Sequence, residues 1–181
     1  MGDIYRTIPW LVSSANTYLR EFFSTRKDAT VLEFGAGGST IWLSQQTRHL
    51  TTIEHNPEWK DAVEREIATG KHPCFPTNIR LLPLPYSGVC KEWCDSSFDL
   101  VLVDGRGRVD CVKESARLVR PGGTLMLDNA ERPRYRKVYS ILKEWELHEE
   151  VQREKDELGF TYFRHGAWWQ TNWWIKPGGA L

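Results

Sequence analysis

The sequence has no apolar run near the roughly 20 residues that a membrane-spanning helix needs. It carries no net charge: 24 basic residues balance 24 acidic ones, so nothing global favours a nucleic acid or a membrane surface as partner. Its first ten residues, MGDIYRTIPW, lack the basic start and apolar core of a secretory signal. Met1-Gly2 is followed by Arg6 where an acylation signal wants Ser or Thr. Cysteine is scarce. Cys74, Cys90, Cys94 and Cys111 are too few for a disulfide framework in 181 residues, and the Cys90/Cys94 pair has no second pair at zinc-site spacing. Free thiols in a reducing cytoplasm are the expectation. No repeat or low-complexity linker divides the chain. The length suits one domain, residues 1–181, with 1–28 as an N-terminal helical extension.

What is present is organised around ten residues, VLEFGAGGST, from Val31 to Thr40. A short apolar run bearing Glu33 breaks into Gly35-Ala36-Gly37-Gly38 and then the helix-starting pair Ser39-Thr40. This is the pattern of a buried strand, a tight turn and a helix N-terminus. Glycines let a ligand approach the main chain closely, and the unpartnered N–H groups of the helix face it. The alternative is a strand–helix turn with no ligand.

Helical spacing predicts a first helix over 9–23, with Pro9 in its first turn. Strands are expected at 31–34, 50–53, 79–82, 98–103 and 124–127. Helices are expected at 39–46, from a cap at Asn56 and Pro57 to about Thr69, at 109–119 and at 135–145. Residues 83–97 read as an irregular loop, and Arg120 to Gly123 as a helix stop. A strand near 148–153, a hairpin and a final strand near 170–175 complete the chain. Strands alternating with helices predict an α/β fold, a parallel sheet with helices on both faces. Ligands of such sheets bind beyond the carboxyl ends of the strands. Glu33 to Gly38, Glu54, Asp104 and Asp128-Asn129 all stand at such ends.

Glu54 lies roughly 20 residues past the glycines, where an acidic side chain takes ribose hydroxyls. That leaves nicotinamide dinucleotides and S-adenosylmethionine (SAM). The dinucleotide fingerprint wants a third glycine where this chain has Thr40. Glu33 would sit badly beside a pyrophosphate and well beside an amino group. With VLEFGAGGST, TTIEHN, FDLVLVDG and LVRPGGTLMLDN in that order, the sequence resembles the class I SAM-dependent methyltransferases from Thr30 to about Lys176. The resemblance implies a Rossmann-like doubly wound sheet of seven strands, mostly parallel with an antiparallel last strand. It implies SAM as cofactor, with Glu33, Gly35, Ala36, Gly37, Ser39, Thr40, Glu54, His55 and Asp104 around it. The acidic residue that the family often has after its third strand is missing from LLPLPYSG.

Within the family, Asp104, Asp128 and Asn129 resemble the Mg²⁺ site of small catechol-type O-methyltransferases. Oxygen ligands suit Mg²⁺, which would activate a hydroxyl acceptor. Asp104 and Arg106 are then the catalytic candidates. The catechol-type lysine base is replaced by Gly107, and the flanking Arg106 and Arg108 cannot act as bases. The plainer readings are a helix cap or a contact to SAM for Asp104, and an Asx turn for Asp128-Asn129.

Arg106, Arg108, Arg132, Arg134, Arg136 and Lys137 all follow strand ends, so they should border the same cleft and bind an anionic acceptor or an acidic partner. The alternative is a solvated basic face. Of nine tryptophans, four stand at Trp168, Trp169, Trp173 and Trp174. Core packing is expected for most, and any left exposed would mark a homodimer interface or an aromatic platform. The resulting expectation is a cytoplasmic SAM-dependent methyltransferase acting on a small molecule, at oxygen. A non-catalytic protein of the same fold and a nicotinamide-dependent oxidoreductase are the alternatives.

Overall fold

The computed structural model describes residues 8–152 and 169–178. Seven strands form one sheet in the order β3-β2-β1-β4-β5-β7-β6. They are β1 (Thr30–Phe34), β2 (His49–Glu54), β3 (Asn78–Leu81), β4 (Phe98–Val103), β5 (Val119–Asp128), β6 (Glu146–Gln152) and β7 (Trp169–Ile175). The pairs from β3 through to β5 are parallel, and β7 runs antiparallel to both its neighbours. The helices are α1 (Ser13–Thr25), α2 (Gly38–Gln46), α3 (Pro57–Ala68), α4 (Arg108–Ser115) and α5 (Lys137–Ile141). This is the doubly wound, mostly parallel arrangement implied by the resemblance.

Residue alternation distributes the core over both faces of the sheet. On β1 and β4, Leu32, Phe34, Val101 and Val103 face α4 and α5, together with Val112 and Val138. Val31, Leu100 and Leu102 face the other way, onto Leu19 and Phe23 of α1 and Leu43 of α2. A strand covered on both faces has no polar side, which is why Phe98 to Val103 is nearly all apolar. Trp173 and Trp174 are successive residues of β7 and so enter opposite faces. Trp173 is stacked by Tyr18 and His148, with ring centroids 5.0 and 5.2 Å away. Trp168 lies outside the described residues.

Several element ends differ from the sequence expectation. α1 begins at Ser13 rather than Pro9. Asn16 Nδ2 donates to the Pro9 and Leu11 carbonyls, and the Val12 N–H donates to Thr171 Oγ1, so the preceding segment is held against β7 outside the helix. Of the expected N-terminal extension, residues 1–7 lie outside the described residues. The expected loop at 83–97 contains a 3₁₀ segment, Tyr86–Glu92, whose Tyr86, Val89 and Cys90 are buried. α4 ends at Ser115 and continues as a 3₁₀ turn, Ala116–Leu118, close to the expected end at 119, with Lys176 Nζ donating to the carbonyls of Ala116, Arg117 and Val119. Arg120 to Gly123, expected as a stop, lie inside β5, where the register with β4 shifts and Gly122 has φ +73°. α5 is shorter than expected, its start being taken by a 3₁₀ turn, Pro133–Tyr135.

Candidate active site

Strand order reverses between β1 and β4, and the turns that follow those strands touch. Gly35 has φ +99°, and a Cβ there would lie 2.7 Å from Gly105 Cα. A Cβ on Gly105 would in turn strike the Tyr86 hydroxyl, which accepts from the Arg106 N–H. Only glycines allow the two main chains to close against each other here.

The amides of the turn are individually tied. The Gly35 N–H donates to the Ile53 carbonyl at 2.8 Å. The Ala36 N–H donates to Glu54 Oε2 at 2.9 Å, and Glu54 Oε1 accepts from the His55 and Asn56 N–H groups at 2.8 Å each. The Gly37 N–H donates to Thr40 Oγ1, which donates to Glu33 Oε2 at 2.7 Å. Glu33 also receives the Ser39 and Thr52 hydroxyls. On the far side of the turn, Trp59 Nε1 donates to the Ala36 carbonyl. Asn56 caps α3 by accepting from the Trp59 N–H, which brings that indole back over the turn.

Three cavities open above this framework. The first, of about 600 Å³, is walled on one side by Ala36, Glu54, His55 and Trp59, and on the other by Asp104, Arg106, Arg132 and Arg134. The second, of about 100 Å³, lies at the start of α2 against Gly37, Gly38 and Ser39. The third, of about 280 Å³, is bounded by Trp10, Asp128, Asn129, Arg132 and Trp169. Asp104 borders all three. The first cavity is of the size that holds small molecules and cofactors.

Electrostatics are concentrated at the ends of β4 and β5. Burial, then the neighbouring Asp128 carboxylate, pushes Asp104 up to about 7, against the pull of Arg108. Burial also raises Asp128, against Arg108 and the donors Trp169 Nε1 at 3.0 Å and Thr171 Oγ1 at 2.8 Å. Burial likewise brings Glu33 to about 7, despite its three hydroxyl donors.

The residues anticipated from sequence separate into two groups. Gly35, Ala36, Gly37, Ser39, Glu54, His55, Asp104 and Arg106 line the cavities. Glu33 and Thr40 have no exposed surface and line none of the three. They act from beneath, holding the turn, because Glu33 shares the α2-facing side of β1 with Val31 and meets hydroxyls there. Of the expected arginine cluster, Arg106, Arg108, Arg132 and Arg134 line the cleft, whereas Arg136 and Lys137 are exposed outside it. Arg108 is buried, its guanidinium spent on main-chain carbonyls and Asp104.

The Mg²⁺ expectation does not fit these donors. Asp104 Oδ1 is 2.7 Å from Arg108 Nη2, and Asp128 Oδ1 already accepts two hydrogen bonds. Asn129 sits at φ +52°, and its carbonyl accepts from the Arg132 N–H, the geometry of a turn. A fixed guanidinium about 4 Å from a dication would repel it by roughly 8 kcal/mol at an effective dielectric of ~20. Among the described residues, no three His, Cys, Asp or Glu side chains are grouped to hold a metal ion.

Sequence reasoning missed Trp10, Trp59 and Tyr86. Trp59 had a readable signal, since it is the third residue after the Asn56 cap. Trp10 and Tyr86 had none, because only the tertiary fold brings Trp10 to the second and third cavities and the buried Tyr86 hydroxyl under Gly105 and Arg106.

Residues 32–130 match a family described as a methyltransferase domain. A protein of Mycobacterium sp. (strain JLS), provisionally named an O-methyltransferase, is 34% identical over 104 residues, 53% of this chain and 45% of that protein. A similarly named protein of Mycobacterium avium (strain 104) is 33% identical over 101 residues, with the same shares of 53% and 45%. The chain thus spans about half the length of the curated relatives it matches. Among solved structures, an O-methyltransferase from Bacillus cereus in complex with S-adenosylhomocysteine (SAH) superposes with a TM-score of 0.65 at 18% identity, over 93% of this chain and 84% of that one. The O-methyltransferase TomG from Streptomyces achromogenes, in complex with SAM, gives 0.64 at 17%, over 92% and 81%. At such identities the likeness is one of fold. The family match covers more than half of the chain and includes the glycine turn, Glu54 and Asp104: the chain belongs to the methyltransferase-domain family.

Proposed function

We propose that the chain binds SAM across the first two cavities and transfers its methyl group to a hydroxyl oxygen of a small anionic acceptor held in the third. The observation that carries this reading is the position of Asp104, the residue at which all three cavities meet. Glu54 lines the first cavity with His55 and Trp59, which supports assigning the ribose hydroxyls to its carboxylate. The first-turn amides of α2 face the second cavity and suit the carboxylate of the amino-acid moiety. When bound, SAM supplies an electrophilic methyl group on a sulfonium.

The chain's own residues supply the rest. The Asp104 carboxylate, held near 7, is suited to accept the acceptor's hydroxyl proton at neutral pH. Arg132 borders the first and third cavities, and Arg106 and Arg134 border the first, so an anionic group on the acceptor has guanidinium partners. Trp10 and Trp169 flank the third cavity as apolar walls. Membership of a methyltransferase family sets the nicotinamide alternative aside.

The test is transfer of labelled methyl from SAM to a panel of carboxylated and phosphorylated hydroxyl compounds. Transfer abolished by Asp104→Asn supports the reading. A chain that binds SAH yet methylates nothing on the panel would instead be a SAM-binding protein without this activity.

A further inference from the structure

Arg108 is 7% exposed and occupies the place between the ends of β4 and β5. Gly107, at φ +61°, turns the chain so that α4 starts immediately, and the buried Arg108 lines the cleft at that point. Its Nη2 donates to the Asp104 carbonyl at 2.7 Å and lies 2.7 Å from Asp104 Oδ1. Its Nε donates to the Gly105 carbonyl at 3.0 Å, and its Nη1 to the Asp128 carbonyl. One guanidinium therefore binds both strand ends that carry the acidic pair, and its Cζ lies over the Tyr135 ring, 5.5 Å from the ring centre.

Resting on the proposed acceptor site, we infer that Arg108 is a built-in cation standing where the catechol-type resemblance would place Mg²⁺. It is a positioning residue that sets Asp104 and Asp128 and leaves the site without a divalent metal. Three features support this. The guanidinium charge is permanent at any working pH. Its fork of donors satisfies carbonyls that would otherwise be buried and unpaired at the ends of two strands. With Arg132 also facing the third cavity, the carboxylate pair has a cation on each side, so a dication would leave the site with excess positive charge.

The probe is Mn²⁺ alone, followed by the loss of its free-ion paramagnetic resonance signal as protein is added, with SAH calorimetry on the same samples. The full chain is expected to show no saturable site up to millimolar Mn²⁺. Arg108→Gln is expected to gain one Mn²⁺ per chain, and Arg108→Gln/Asp128→Asn to lose it again. Arg108→Lys, which keeps a charge, should stay without it. A wild-type chain that binds one Mn²⁺, and loses it on Asp128→Asn, overturns the inference without any variant of Arg108. A folded Arg108→Gln that remains unresponsive overturns the claim that the guanidinium stands in a cation's place. Loss of SAH binding, by contrast, bears only on the cofactor reading.

Discussion

Gly35 and Gly105 meet main chain to main chain: a methyl group on the first would come within 2.7 Å of both Cα and N of the second. Gly37, two residues on, has room, since a Cβ there would find only Trp59 Nε1, at 3.9 Å. The two glycines should therefore fail differently. Gly35→Ala combines a left-handed φ with a backbone clash and should cost about 3 kcal/mol or more of stability. Gly37→Val should fold normally and lose at least about tenfold in SAH affinity, roughly 1.4 kcal/mol, by filling the second cavity. Urea titration and calorimetry separate the outcomes. A Gly37→Val chain with unchanged affinity would remove that cavity from the cofactor site.

The same contrast shows what was legible in the sequence. β4 was read to its exact residues because an apolar run buried on both faces has no other interpretation. The glycine turn, Glu54 and the Asn56 cap were legible because local backbone chemistry specifies them. Glu33 was read into the right strand, and in the fold it is buried beneath the turn. Its burial depends on the hydroxyls of Ser39, Thr40 and Thr52 converging beneath it, and Thr52 comes from a different strand. Arg106 and Arg108 look alike in sequence and both line the first cavity, yet Arg106 is exposed while Arg108, after Gly107, is buried with its guanidinium bonded to strand-end carbonyls and Asp104. Lys176 reaches the Ala116 carbonyl at the end of α4 across about sixty residues of chain that no local pattern spans.

Asp104→Asn removes the proton acceptor while keeping size. Turnover should fall by about 10²–10⁴, with SAH affinity little changed. In the wild type the rate should rise with pH through about 7, because the carboxylate must be ionised to accept a proton. A variant that retains its turnover would show that the acceptor's proton leaves by another route.

Glu33 ties pH to stability. Its folded value of about 7 lies above the ordinary 4.5, so the native state holds its proton where the unfolded chain has released it. Stability from this group is fully present below about 4.5 and declines as pH rises to about 7, by on the order of 3 kcal/mol. Asp104 and Asp128 are raised too and act with the same sign. The difference in urea midpoints between wild type and Glu33→Gln, followed from pH 5 to 8, isolates the Glu33 share. Parallel curves would contradict it.

Arg132→Met should raise KM for an anionic acceptor by about 10–100-fold, the equivalent of one charge-assisted hydrogen bond, with kcat nearly unchanged. Arg136→Met, on an exposed residue away from the cavities, is the control and should change neither. Equal effects of the two would indicate a diffuse basic surface in place of a binding residue.

The central claim is that the cleft at the meeting of β1 and β4 is a SAM site. Calorimetric titration of the full chain with SAH, beside NADH and with and without Mg²⁺, tests it most directly. The account predicts saturable one-to-one binding of SAH, none of NADH, and no dependence on Mg²⁺. A folded chain that binds NADH, or binds neither ligand, would contradict it.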